Sequence, residues 1–345
     1  MTDFVLAAAE PTSMLSHMAL YGLAAIAEDG GLDDVRVSWT GGMATRPVLS
    51  APDATPETVG EIVRAHATRL AAPDAWPAQS VSDTETKGLM SPRLSVIASR
   101  DGWQSLQQRR HDALDRLTEA RAYLDLRLIA ALGEPSYWRF NKQGQRLQDD
   151  GASRLEMQPR NQGSEFVGSR IRKLATALTA RTNAAVSDGL LGRSIRDEIG
   201  KDAATSRTST GFASPGPVDN ALAWCALWGI SQFPIALRTH GFAITTGHLG
   251  PGSSGHFYVP VWEGKWRTAK LRSVVGSGQL ARFASADLSS NADMSDGENP
   301  RAQATAWLAS RGVDAVVRFP IGRFGSDSAP ERRAMRGVIL KTGRR

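Results

Sequence analysis

The chain has 345 residues, 41% of them hydrophobic, a formal net charge of +6 and one cysteine. That length leaves room for roughly one to three domains around a large core. A lone cysteine excludes an internal disulfide and a cysteine-based metal cluster, and no segment offers the ~20 uncharged apolar residues of a membrane span.

Thr12-Ser13 caps a first helix from Met14 to about Glu28, which Gly30-Gly31 ends. Val35 to Trp39 alternates like a strand. Pro47 to Pro56 reads as turn-rich, and Pro56 to Leu70 as a second helix. Ala71 to Pro92 is a loop or crossover rich in Ala, Pro, Ser and Thr, and Leu94 to Ala98 is a short strand. The longest helical pattern runs from Trp103 to about Leu132, with Leu106, Ala113, Leu117, Leu124 and Leu128 at compatible spacings and Gly133-Glu134-Pro135 as its stop. Tyr137 to Gly151 is irregular and polar.

Phe166 to about Ala180 is a sharper helix, with Val167, Ile171, Leu174 and Leu178 as its apolar stripe. On a helical wheel Arg170, Lys173 and Arg181 share one flank and Arg172 points elsewhere. Three cations in a row can track a phosphate backbone, and an ordinary solvated face explains them equally well. Next comes a contrast. A basic, Ser/Thr/Gly-rich loop framed by Arg193, Arg196, Lys201 and Arg207 ends at Pro215-Gly216-Pro217. The helix that follows carries no charged or strongly polar side chain from Ala221 to Trp228. Asp219 or Asn220 can cap it, and an all-round apolar helix is a buried one.

Beyond that helix the pattern turns to strands. His256–Trp262 and Trp266–Val275 straddle Glu263-Gly264-Lys265 like a hairpin. Asp287 to Pro300 is polar and aperiodic, Ala302 to Ser310 a short helix, and Val313–Phe319 and Gly337–Leu340 late strands. Between those strands lies the basic run Gly322–Arg336, with Arg323, Arg332, Arg333 and Arg336. The expected fold class is therefore α+β: an N-terminal α/β region (1–100), a helical middle with the basic loop (101–235) and a β-rich C-terminal part (236–345). Elements do not alternate βαβα, so a doubly wound sheet is not expected.

The charge is sorted along the chain. Residues 1–90 hold 5 Lys/Arg against 12 Asp/Glu, whereas residues 301–345 hold 10 against 3. An acidic front and a basic rear point towards a polyanion or an acidic partner. Arg greatly outnumbers Lys, and its planar fork suits phosphate. The nine tryptophans are expected mainly as buried anchors rather than base-stacking platforms. Cys225 is expected as a buried core thiol.

Catalytic motifs are sparse. Gly247–Gly255 lacks the Lys and Ser/Thr of a P-loop, and no GxGxxG or GxSxG is present. His240, His248 and His256 recur every eight residues, a spacing of no standard metal motif. Asp33-Asp34 and Asp149-Asp150 sit in turn-like contexts. No metal, cofactor or catalytic residue is expected. The start, MTDFVLAAAEP, lacks the basic region and apolar core of a signal peptide, so a cytoplasmic location is expected.

Four stretches carry a family resemblance: KGLMSPRLSVIAS (Lys87–Ser99), followed by Trp103 and Arg109-Arg110, GASRLEMQPRNQGSEFVGSRIRKLA (Gly151–Ala175), SRTSTGFASPGPVDNALAWCALWGISQFP (Ser206–Pro234) and HFYVPVW (His256–Trp262). In these the chain resembles Cas8-type large subunits of the type I CRISPR interference complex (Cascade), above all the divergent I-U/I-G kind. The chain is short for a large subunit and is also compatible with an accessory one. The resemblance implies a non-catalytic subunit beside the crRNA 5′ handle. Such a subunit contacts the double-stranded PAM of target DNA, helps to open the duplex and recruits the Cas3-type nuclease-helicase. Its partners would be crRNA, double-stranded target DNA and other Cascade subunits, with no membrane.

The residue-level candidates for nucleic-acid contact are Arg170, Lys173, Arg181, Arg193, Arg196, Lys201, Arg207, Thr208, Arg323, Arg332, Arg333 and Arg336. Two other classes compete. One is a stand-alone nuclease or nucleic-acid-modifying enzyme, which would need distant groups such as Glu156, Asp188, Asp197 and His240 to converge. The other is a structural adaptor for acidic protein surfaces.

Overall fold

The computed structural model describes residues 1–41, 44–81, 88–94, 97, 99–135, 140, 142–144, 148–157, 166–206, 210–238, 241–250, 255–286, 300–326 and 329–343. The expected strand at 94–98 and the aperiodic stretch at 287–300 fall largely or wholly outside these residues.

The chain opens with β1 (Thr2–Val5), α1 (Met14–Asp29), β2 (Arg36–Trp39), β3 (Pro47–Ala51) and α2 (Pro56–Ala71). The three strands form an antiparallel sheet in the order β1-β3-β2. β3 corrects the expectation of a turn-rich segment at 47–56. Its five residues are buried, and Leu49 pairs with Phe4 on one side and Val37 on the other. Pro47 is tolerated because it takes the first position of the strand. The Thr55 hydroxyl accepts from the Thr58 amide, so α2 starts where its cap places it.

The helical middle holds α3 (Arg100–Glu119), α4 (Tyr123–Leu132), α5 (Arg172–Thr179), α6 (Asn183–Leu190) and α7 (Asn220–Gly229). Two expectations change here. The long 103–132 pattern is two helices, because Arg121 adopts φ 55° and the Ala122 amide turns back to the Leu117 carbonyl. No Gly or Pro marks that break. The Phe166–Ala180 helix begins with a π turn at Val167–Ile171. A wider turn shifts every later residue around the helix axis relative to a 3.6-residue wheel.

α1 and α7 form the centre of the core. Every residue from Met14 to Ala27 is buried, as is nearly all of α7. They cross backbone to backbone: a Cβ on Gly22 would lie 1.8 Å from the Cys225 carbonyl oxygen, and one on Gly229 would lie 2.2 Å from that of Met18. Asp219 caps α7, its Oδ1 accepting from the Ala221 amide at 2.8 Å. Trp224 and Trp228 pack around His66 of α2, with ring centroids 5.5 and 4.4 Å away.

The C-terminal part contains β4 (Ile235–Ala236), β5 (Ile244–Thr245), β6 (His248–Leu249), β7 (His256–Trp262), α8 (Thr268–Val275), α9 (Gly278–Ser285), α10 (Pro300–Ser310), β8 (Val313–Ser326), β9 (Ala329–Ala334) and β10 (Val338–Lys341). Its main sheet runs β10-β8-β7-β6, with β9 also paired to β8. The fold class is α+β. The expected hairpin at 256–275 is corrected: β7 pairs with β6 and β8, and residues 268–275 are helical. Trp266 instead exchanges two backbone hydrogen bonds with Val37, each 2.8 Å, which ties this region to β2. The Trp262 ring stacks on Trp266 at 4.6 Å, and its Nε1 donates to the Val37 carbonyl.

Candidate nucleic-acid interface

The candidate cations divide by what surrounds them. Arg170, within the π turn, is buried; its side chain donates to the Met157 carbonyl and lies over the Phe166 ring. Arg181, just past α5, is buried as well. It makes a two-pronged pair with Glu198 at 2.8 and 2.7 Å, bonds Asp219 at 2.8 Å and donates to the Arg196 carbonyl at 2.6 Å. Burial alone would lower the guanidinium pKa, but the Glu198 and Asp219 carboxylates outweigh it and hold it above its ordinary value. The expected three-cation flank is therefore corrected. Of the three, Lys173 alone stands in solvent, and its exposed neighbour is Arg172.

Arg181 and Asp219 also shape the basic loop. The second Asp219 oxygen accepts from the Arg196 amide at 2.9 Å. Asn220 donates to Glu198 at 2.7 Å. Farther along, Asp197 accepts from the Gly200 amide and the Ser206 hydroxyl, while Asp202 accepts from the Asp197 amide. Lys201 and Asp202 turn the chain with φ 55° and 50°. These carboxylates are consumed by local backbone and hydroxyl groups. Arg193, Arg196 and Lys201 point outward; Arg193 has a solvent-exposed pair with Asp188 at 3.3 Å, a contact that water and salt weaken. Arg207 and Thr208 lie outside the described residues.

The second basic group sits on the β8–β9 ribbon and the link after it. Arg323 is exposed and lies across from Arg332, which is buried. Arg333 is half-buried, its guanidinium 3.7 Å over the Phe324 ring and 3.5 Å from Glu331. Arg336 is exposed on the link to β10. The Gly322–Arg336 run, expected to lie between two strands, is itself mostly strand: residues 322–326 extend β8 and residues 329–334 form β9, which pairs with it.

Tertiary structure ties these two groups to one segment. Ser206 bonds Asp197, the Gly216 amide donates to the Ser206 carbonyl, and the Ala334 amide donates to the Gly211 carbonyl. The start of α1 joins in: the Leu15 amide donates to the Phe212 carbonyl, and the Gly337 amide to the Thr12 carbonyl. Between residues 10–14, 212–218 and 334–336 lies a cleft of about 420 Å3. Sequence reasoning named the Pro-Gly-Pro loop and Arg336 separately. Nothing in their spacing showed that they meet, or that Thr12 and Ser13 join them.

The remaining chemistry-bearing groups are held apart. Glu156 is buried against Arg93 at 2.8 Å, and Asp197 against Ser206. His248 and His256 lie on paired strands, where the His248 ring packs 5.4 Å from Phe257; His240 lies outside the described residues. Among the described residues, no group of three His, Cys, Asp or Glu side chains is arranged to hold a metal. Cys225 is buried, and burial raises its thiol pKa well above the ordinary value. No helix among the described residues is long and apolar enough to cross a membrane. Compared with known proteins, the chain matches no protein-family model and no curated protein.

Proposed function

We propose that this chain is a non-catalytic nucleic-acid-binding subunit of a type I CRISPR RNA-guided surveillance complex, contacting the crRNA handle, target DNA or both. The nucleic-acid part is carried by the sorting of cations. Buried arginines are consumed by carboxylates and carbonyls. Arg172, Lys173, Arg193, Arg196, Lys201, Arg323 and Arg336 face solvent, where phosphates can reach them. The CRISPR part is supported by the resemblance in the four segments quoted above. In this reading guide pairing discriminates sequence, and the protein adds backbone and short duplex-element contacts. Other Cascade subunits and a Cas3-type nuclease-helicase are its protein partners.

A tagged chain recovered from its native cells tests both parts. Co-purification of uniform short RNAs with a repeat-derived handle, together with several partner subunits, is the expected result. Recovery of the protein alone, free of RNA, overturns the effector-complex reading.

A further inference from the structure

The cleft at the start of α1 has a composition that selects its occupant. At about 420 Å3 it falls within the roughly 300–1,000 Å3 of small-molecule sites. Several of its groups accept or donate to nothing in the chain. Ser13 precedes α1 without a side-chain capping bond, and the first turn carries no acidic residue. Thr12 Oγ1 is buried without a hydrogen-bond partner. Arg336 is exposed and makes no ion pair or hydrogen bond through its guanidinium among the described residues. The Leu15 and Ser16 amides are spent on the Phe212 and Ser13 carbonyls, so the Arg336 guanidinium, with the uncapped Ser13 hydroxyl in the same lining, is what draws an anion here.

The same cleft contains Glu10, whose exposed carboxylate only accepts hydrogen bonds. A free inorganic anion gains from Arg336 and is repelled by Glu10. Pro215, Pro217 and Met335 add apolar surface to the lining. A ligand that satisfies all three features has an anionic end, a flat apolar body and an edge of N–H donors. A nucleotide has these parts, and a base paired and stacked in a duplex offers neither its Watson–Crick edge nor its faces.

We propose that this cleft takes one unstacked nucleotide of a single-stranded nucleic acid. Its phosphate is met by Arg336 and the Ser13 hydroxyl, its base by the prolines and Met335, and its N–H groups by Glu10. The proposal rests on the nucleic-acid reading above and narrows it: the strand crossing this face is single-stranded here.

Calorimetric titration of the full chain tests it with four probes: nucleoside monophosphates, inorganic phosphate, a single-stranded oligonucleotide and a duplex. Monophosphates and the single strand are expected to bind better than phosphate. Arg336→Ala should weaken both by about tenfold or more, as loss of a charged hydrogen bond does. Glu10→Gln should change the ranking among the four bases, with the melting temperature of both variants unchanged. A single strand held equally by the wild type and both variants overturns the cleft assignment and leaves the nucleic-acid reading standing. Phosphate binding as well as the monophosphates reduces the cleft to an anion site and overturns the proposal. Monophosphate binding without oligonucleotide binding overturns the strand assignment and counts against the nucleic-acid reading itself.

Discussion

The α1–α7 core and the 193–217 loop meet at Asp219, yet they handle polar groups in opposite ways. In the core, close helix packing leaves room only for groups whose partners are built in. Arg181 is enclosed there by Glu198, Asp219 and the Arg196 carbonyl. In the loop, the carboxylates fold inward onto amides and hydroxyls, leaving Arg193, Arg196 and Lys201 at the surface. An arginine count therefore overstates the charge that a partner can reach. Arg110 makes the same point: it is buried, donating to the Leu89 carbonyl at 2.7 Å and Glu134 at 2.8 Å.

The contrast breaks most visibly at Arg181. Arg181→Met leaves the buried Asp219 carboxylate its Ala221 and Arg196 amide bonds but no cation, and should lower stability by about 3–5 kcal/mol in urea unfolding. A loss below about 1 kcal/mol, the scale of an exposed pair, would mean that this pair does not anchor the loop. Gly22→Ala tests the core alone. The new methyl meets the Cys225 backbone, and a loss of about 3 kcal/mol, the upper end of overpacking, is expected. Wild-type stability in this variant would show that α1 and α7 can move apart.

The buried histidines sharpen the comparison through pH. Burial holds the imidazole of His17 down to about 4 and that of His66 well below its ordinary value. Both nitrogens of His66 lack a hydrogen-bond partner. The unfolded chain takes up these protons near pH 6.5, so it binds more protons than the folded chain below that pH. Their contribution is complete above about pH 6.5 and is lost as the pH falls through each folded-state value, about 4 for His17. His66→Leu should flatten the pH dependence of the urea midpoint in that window. An unchanged slope would show that His66 is already protonated in the folded chain or reached by water.

The smallest expected stability effects lie outside. Lys173→Glu and Arg196→Glu should each change stability by less than about 0.5 kcal/mol. On duplex DNA, each lost phosphate contact should lower the magnitude of the log–log salt slope by about 0.9. Unchanged slopes would remove these two residues from the interface.

Much of the local structure was legible in the sequence. The helices expected at Met14–Glu28 and Pro56–Leu70 are present at Met14–Asp29 and Pro56–Ala71, and α7 is the apolar run expected after a cap at Asp219 or Asn220. These signals act between residues a few positions apart, which is why residue order alone reveals them. The burial of Arg170 was not legible, because its acceptor, the Met157 carbonyl, is brought to it by the fold rather than by helical spacing. Neither was the helix at 268–275, because Trp266 is held by Val37 of a distant strand. Charge burial and the 420 Å3 cleft depend on such distant partners. The sequence determined where cations occur and which helices are apolar. Only the tertiary structure decided which cations spend their hydrogen bonds inside, because desolvation and pairing depend on what packs against each group in space.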